Sequence, residues 1–305
     1  MGDLYRALWR VTGRQQSLLI VMALLVAALA AVPLKFQQLV INGLVYGGDV
    51  SLLLSLCIGF FGAVLLSAAL KFLLGLRQST VGERVVLLIR ERLYGNCVAD
   101  ARIGGEEAMQ RGALLTMLAA EAEVVGAFAG AAIATPLVQV GTLVSVIGFI
   151  AASQPWLGIL ALAVVVPQAA IVVGLQERIN QRVRDRVRSL RSVSNRISES
   201  DLARVEDEVC LDFRSIFDAR RRIFLLKLSS KFALAAISAA GKVGILFLGG
   251  WLVLRGQSDV GTVVASLTGL TRIEGPWRDL VSFFRSASTV RVKYELLAGA
   301  LAARD

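Results

Sequence analysis

Apolar residues in this chain are grouped into six long runs, separated by polar segments rich in arginine. The runs cover about Ser17–Val32 continuing toward Tyr46, Leu52–Leu76, Val124–Ala152, Trp156–Leu175, Phe232–Leu254 and Val260–Phe284. Each run is close to the roughly 20 residues that a helix needs to cross a hydrocarbon layer of about 30 Å. The pattern therefore predicts an all-α membrane protein with six transmembrane helices.

Two of the polar connections, about 77–123 and 176–231, have a helical pattern of their own. Apolar residues recur every three or four positions from Ile179 to Ile197, and a similar stripe runs from Val81 to Leu93. An apolar face kept over several turns must be buried for such a helix to form. We therefore predict that both connections are helical legs packed into a bundle outside the membrane. The simpler alternative is a pair of solvated charged helices without a partner.

The distribution of charge predicts the orientation of the chain in the membrane. Arg6, Arg10 and Arg14 precede the first run, whereas Tyr46–Ser51 after it contains neither Lys nor Arg. Because basic residues collect on the cytoplasmic side, the legs and both termini are expected inside, in a multi-pass protein of the plasma (inner) membrane. The same Arg residues, followed by Ala28-Leu29-Ala30, also resemble a signal peptide, but the five later runs favour an orienting first helix.

Composition excludes several classes of function. The net charge of +10 accompanies a mean hydropathy of +0.67, and topology accounts for the Arg residues, so we expect no nucleic acid among the partners. The chain lacks histidine, and its three cysteines are far apart, which argues against triads and metal sites. No Gly-rich loop ending in Lys-Ser/Thr is present; Gly241-Lys242-Val243 is the nearest approach. We therefore expect no catalytic site and no cofactor in this chain.

Several short motifs are spread along the chain. They are Pro33 with Leu39–Asn42, Arg90–Tyr94, Gly112–Leu114 with Glu121, and Gly256 followed by Val260–Ala265, Pro276 and Arg291–Leu297. These motifs resemble those of one membrane-protein family, the transmembrane domain of type IV ABC exporters. Asn42 departs from that family's pattern, since an Asp is usual at the position. The motifs occur in the family's order over almost the whole chain.

The resemblance implies a six-helix transmembrane domain over 17–297, with a cytoplasmic N-terminal segment over 1–16 and a tail over 298–305. It implies a permease subunit that dimerises with itself or a sister subunit in the lipid bilayer. A separate nucleotide-binding ATPase subunit, which binds ATP and Mg²⁺, would drive it by alternating access. Coupling helices are expected at Ala101–Gln110 and about Leu202–Val209. The coupling residues would be Arg102, Glu106, Glu107, Leu202, Val205, Glu206, Asp207 and Val209.

Charged residues inside the apolar runs are the candidates for contact with substrate, because a charge in the bilayer is costly and usually faces a cavity. The last run contains four of them: Arg272, Glu274, Arg278 and Asp279. The spacing of Glu274 and Arg278 would also allow a purely structural ion pair. For Lys35, Lys71 and Lys242, near the ends of their runs, a structural role is preferred. Gly43/Gly47 and Gly126/Gly130 are spaced for close helix contact.

Two other functions remain open at the level of sequence. A carrier or channel without an ATPase would be expected to show inverted repeats or broken helices with ion ligands inside the membrane, and neither is clear here. A membrane scaffold or regulator that uses an exporter-like fold is the other alternative. A membrane enzyme is disfavoured because the runs lack clustered carboxylates as well as histidine.

Overall fold

The computed structural model describes residues 2–103, 117–174, 181 and 206–302. This part of the chain is built from helices. They are α1 (Gly2–Leu29), α2 (Val32–Val45), α3 (Val50–Ile103), a π-helical turn (Met117–Glu121), α4 (Ala122–Ala131), α5 (Ala134–Ser153), α6 (Pro155–Gly174), α7 (Glu206–Leu254) and α8 (Val260–Ala302). The architecture confirms the predicted all-α membrane fold.

Prolines break the first and third membrane crossings, which the sequence pattern predicted as continuous helices. Pro33 has no N–H to donate to the carbonyl of Leu29, and α1 ends at Leu29. In the same way Pro136 cannot donate to the carbonyl of Ala132, the C-terminal cap of α4. Each pair still forms one apolar crossing, over Thr12–Val45 and Leu118–Ser153.

Two helices are much longer than a bilayer is thick. α3 has 54 residues and α7 has 49, which correspond to about 80 Å and about 74 Å at 1.5 Å per residue. A hydrocarbon core of about 30 Å holds less than half of either helix. α3 therefore continues from the membrane crossing without a break, and it contains the first half of the predicted leg 77–123.

Five stretches within the described residues are long and apolar enough to cross a membrane: Thr12–Val45, Val50–Gly95, Leu118–Ser153, Pro155–Gly174 and Ile216–Leu254. The sixth predicted crossing, α8, has 43 residues but does not reach the same apolarity. Its four charged residues, from Arg272 to Asp279, lower its hydropathy. α8 instead packs mainly against α2 and α5, with further contact to α7.

The core consists of three apolar clusters along the bundle. One, around Leu34, Ile150 and Ile245, joins α2 and α5 to α6, α7 and α8. Leu19, Val26 and Ala134 belong to a second cluster between α1, α3 and α5. The third joins α3 and α4 to the distal half of α8, where the rings of Phe128 and Phe283 stack with centroids 5.4 Å apart. α8 thus connects the two ends of the molecule.

The three short turns lie together at one end of the bundle. Gln154, between α5 and α6, reaches the carbonyl of Gln257 in the α7–α8 turn. Asn42, at the end of α2, accepts a hydrogen bond of 2.8 Å from the backbone of Gly261 at the start of α8. This arrangement leaves the far ends of α3, at Ile103, and of α7, at Glu206, at the other end of these long helices, which we call their distal ends.

Candidate functional site

The four charged residues of α8 divide between two faces of the helix. Arg272 and Asp279, seven residues apart, line a first cavity, whereas Glu274 and Arg278, four residues apart, line a second. These separations correspond to whole turns of an α-helix, so the members of each pair share a face. All four side chains that the sequence singled out for substrate contact therefore line cavities, although they do not form one cluster.

The first cavity has a volume of about 590 Å³ and lies between the α1–α2 break, α3, α5 and α8. Two prolines, Pro33 and Pro276, are part of its wall. Its polar and charged lining consists of Ser67, Lys71, Gln78, Thr135, Gln139, Thr142, Arg272 and Asp279. This volume is within the range of about 300–1,000 Å³ that is usual for small-molecule pockets.

A third cavity, of about 620 Å³, continues from the first toward the distal end of α8. Both cavities are lined by Thr135, Gln139 and Asp279. At the residues they share, Nε2 of Gln139 donates a hydrogen bond of 3.0 Å to Oδ2 of Asp279. The lining extends along α8 as far as Val290, which is about 27 Å from Arg272 along the helix axis. The two cavities together form one groove along one side of α8, with polar and charged side chains set among apolar ones.

The second cavity, of about 580 Å³, lies on the opposite side of α8, against α6 and α7. Glu274 forms an ion pair there with Lys242 of α7, whose Nζ lies 3.7 Å from Oε1. Arg278, the partner considered from sequence spacing, is therefore not the one in the structure. Beside the pair, the buried Gln168 donates a hydrogen bond of 3.0 Å to Ser238. These contacts tie α6, α7 and α8 together.

The lone lysines of the apolar runs have three different environments. Lys35 donates a hydrogen bond of 2.9 Å to Gln38, and Lys242 pairs with Glu274, so a structural role agrees with both. Lys71 instead lines the first cavity, where it has no ion-pair or hydrogen-bond partner within the described residues. The sequence favoured a structural role for Lys71, because the rotation of α3 against α8, which brings this side chain to the first cavity, cannot be derived from the sequence of either helix alone.

The family of this chain follows from comparison with known protein families. Residues 17–200 match the sequence profile of the ABC transporter transmembrane region, and this match covers more than half of the chain. The chain belongs to the ABC transporter transmembrane family. No curated protein sequence matches it. This ABC transmembrane domain is therefore a multi-pass membrane component of an ABC transporter.

A hydrogen-bonded clasp joins α2 to the start of α8 in this ABC transmembrane domain. Asp259 caps α8 by accepting hydrogen bonds from the backbone N–H and the hydroxyl of Thr262, at 2.6 and 2.8 Å. Gln38 donates a further bond of 2.6 Å to Thr262. Burial raises the pKa of Asp259, but hydrogen bonds from Thr262, Asn42 and Gln38 outweigh it and hold the pKa below its ordinary value.

Two glycines of the motif lie near this clasp, and a glycine is favoured at each of them for a different physical reason. Gly256 has a φ of +68°, and its N–H and that of Gln257 bond back to Val253 and Leu252, which is a Schellman ending for α7. Gly261 lies against α2, where an added Cβ would overlap the carbonyl oxygen of Gln38. The motif of the ABC transmembrane domain thus reflects a helix ending and a close helix contact.

Part of the predicted coupling surface of the ABC transmembrane domain falls within the described residues. Arg102 lies in the last turn of α3, and Glu206, Asp207 and Val209 lie in the first turn of α7. The remaining predicted coupling residues, Glu106, Glu107, Leu202 and Val205, lie outside the described residues, as does the predicted helical stripe from Ile179 to Ile197. The described coupling positions thus belong to the distal ends of the two longest helices.

A side-chain contact supports the distal end of α3. Nε of Arg90 donates a hydrogen bond of 2.8 Å to the carbonyl of Leu118 in the π-helical turn. Arg90 belongs to the Arg90–Tyr94 motif that carried part of the resemblance. A π-turn leaves backbone carbonyls poorly paired, and an arginine can satisfy one of them. The motif therefore joins α3 to the chain that returns toward the membrane.

Proposed function

We propose that this chain is the permease subunit of an ATP-driven ABC exporter whose ATPase is a separate nucleotide-binding subunit. The observation that carries the proposal is the length of α3 and α7, about 80 and about 74 Å, in a chain of this family without a P-loop. Such helices continue far beyond the bilayer and give a motor on one side a rigid connection to the membrane domain.

In this proposal the substrate pathway is the groove formed by the first and third cavities. The residues that line the groove come from α8 and from the helices that face it. A movement of α8 relative to α3 and α5 therefore changes the shape of the groove. Arg272 and Asp279 lie in the groove, while Glu274 and Arg278 line the second cavity beside α6 and α7. Alternating access would then be a rigid-body displacement of these packed helices.

The coupling surface is proposed at the distal ends of α3 and α7. It comprises two segments, Ala101–Gln110 and about Leu202–Val209, of which Arg102 and Glu206–Val209 lie in described helices. Alternating apolar and charged residues suit a docking contact that forms and separates with each ATP cycle. ATP and Mg²⁺ would be bound by the partner subunit.

The proposed assembly is a dimer, either of this chain with itself or with a sister subunit, in the plasma (inner) membrane. The six-helix domain over 17–297 would form each half, with the segments 1–16 and 298–305 in the cytoplasm. The basic residues before the first crossing support this orientation. An ATP-independent carrier or a scaffold with this fold would leave the ATPase without a role.

The test is to reverse the charges at the start of α7. In complexes with the co-purified ATPase subunit, replacing Glu206, Asp207 and Glu208 by Lys should leave ATP turnover measurable but reduce transport at least about tenfold, because the docking contact is lost. Asp218→Lys, three turns along the same helix, is the matched control and should transport normally. Unchanged transport in the triple variant, or the absence of any ATPase partner, would favour the carrier or the scaffold.

A further inference from the structure

We propose that the first cavity binds an amphipathic organic anion whose acidic group is held by Lys71 and Arg272. The proposal deepens the proposed function, since it assigns a substrate class to the groove along α8. It is carried by the chemistry of the cavity wall, where two cations from different helices, α3 and α8, face the same space.

Both cations lack a partner within the described part of the chain. No carboxylate oxygen lies within 4 Å of Lys71 or Arg272 there, and neither side chain donates a hydrogen bond to a described residue. Lys242, in the second cavity, differs from them because it pairs with Glu274. A charged side chain in a membrane span is costly and normally has a counter-charge. An anionic ligand would supply it in the first cavity.

The one carboxylate in the same wall does not cancel these charges. Asp279 accepts a hydrogen bond from Gln139 at 3.0 Å and lies where the first cavity continues into the third. The wall therefore has two cations against one carboxylate, and it favours a ligand of net negative charge. A neutral or cationic ligand would leave Lys71 and Arg272 without compensation.

The rest of the wall gives the ligand its apolar part. Besides its charged and polar residues, the cavity is lined by apolar side chains such as Pro33, Val64, Leu74, Val138 and Val146. A cavity of about 590 Å³ with such a wall fits a molecule that combines a compact hydrocarbon body with a carboxylate, sulfonate or phosphate. Either an acidic lipid or a soluble organic anion has this chemistry.

Two fluorescent probes with related ring systems test the charge preference. 8-Anilinonaphthalene-1-sulfonate carries one negative charge, and N-phenyl-1-naphthylamine has the same fused and phenyl rings without the sulfonate. Both are titrated onto the full chain, purified in a neutral detergent, with detergent alone as the blank. We expect saturable binding of the sulfonate, and about tenfold weaker binding for each cation removed, in Lys71→Gln and in Arg272→Gln. The neutral probe should bind equally to all variants.

Matched variants separate a binding role from a folding role. Lys35→Gln removes a charge of the same sign from α2, outside the cavity wall, and should leave sulfonate binding unchanged. Lys71→Arg and Arg272→Lys keep the charge and should restore most of the affinity. Equal sulfonate binding by the original chain and both Gln variants would overturn the proposal, as would equal losses in Lys35→Gln. A loss that the charge-conserving variants do not restore would overturn it as well.

The source of the anion is decided in lipid nanodiscs. If phosphatidylglycerol competes with the sulfonate probe and phosphatidylcholine does not, the ligand is an acidic lipid. Competition by taurocholate alone indicates a soluble organic anion. Because binding is measured without ATP or a partner subunit, failure here leaves the permease proposal intact, whereas failure of the coupling test at Glu206–Glu208 leaves the anion site intact.

Discussion

At the scale of single residues, Asn42 shows how a departure from a family pattern can have a local cause. Its Oδ1 accepts the N–H of Gly261, and its side chain helps to lower the pKa of Asp259. An Asp at this position could still accept from Gly261, but it would place a second carboxylate beside Asp259 and lose the amide donor. In this chain the amide is therefore the side chain that completes the clasp.

We expect Asn42→Asp to make the stability of the chain sensitive to pH. At pH 7.5 the two adjacent carboxylates should lower the melting temperature, and the deficit should shrink toward pH 5 as one of them takes up a proton. Thermal unfolding in detergent measures this. Gln37→Glu makes the same chemical change on α2 at a side chain that bonds to the hydroxyl of Thr268 instead of neighbouring a carboxylate, and it should show a smaller dependence on pH. Equal curves for both variants would contradict the account.

The lowered pKa of Asp259 leads to a second prediction about pH. Here the stability of the chain should fall, not recover, as the pH is lowered. The pKa of Asp259 is lower in the folded chain than in the unfolded chain, so its charge adds stability above about pH 4, and this is lost as pH falls through the folded value. Asp259→Asn keeps a capping side chain but does not titrate. The melting temperature of the original chain should therefore fall more steeply than that of the variant between pH 5 and pH 3. Parallel curves would contradict this.

At the scale of helices, the closest packing in the described structure is that of α3 against α4. An added Cβ would meet the backbone of the opposite helix at all three of the glycines Gly82, Gly126 and Gly130. The sequence had indicated close contact for Gly126 and Gly130, and the structure confirms it. The same interpretation of Gly43 and Gly47 was wrong, because Gly47 lies in the turn after α2 with a φ of +73°.

Gly130→Ala should weaken this contact, since the new methyl group would overlap the carbonyl oxygen of Gln78. Overpacking of this kind typically costs about 1–3 kcal/mol. Gly62→Ala is the control on α3, because no atom outside its own helix lies within 4 Å of the added Cβ. We expect a clear drop in melting temperature for Gly130→Ala and little change or a gain for Gly62→Ala. The reverse order would refute the assigned packing.

The sequence was informative where a pattern depends on one helix alone. Apolar run length located the crossings, and the four-residue spacing of Glu274 and Arg278 correctly indicated that these two side chains share a face of α8. It was uninformative where two helices must meet in register. The pairing of Glu274 with Lys242 and the position of Lys71 depend on how α7 and α3 are rotated against α8. The breaks before Pro33 and Pro136 could have been found, since proline removes a known hydrogen bond.

At the scale of the whole molecule, α3 combines two environments in one rod. Its proximal half exposes large apolar side chains such as Phe61 and Phe72, which are 67% and 69% exposed in the isolated chain. Such a surface is suited to lipid or to a second transmembrane subunit. Its distal half carries Arg90 and Glu91 and ends at Ile103. The same helix therefore extends from the bilayer to the proposed coupling surface.

Two-sided cysteine labelling tests this arrangement most directly. Cys57, Cys97 and Cys210 are replaced by Ser, and a single cysteine is introduced at Glu91 or at Gln257, both of which are exposed. A membrane-impermeant maleimide is applied to intact cells and to inverted vesicles. We predict that position 91 is labelled only in inverted vesicles and position 257 only in intact cells. Labelling of position 91 from outside, or of both positions from the same side, would contradict the account.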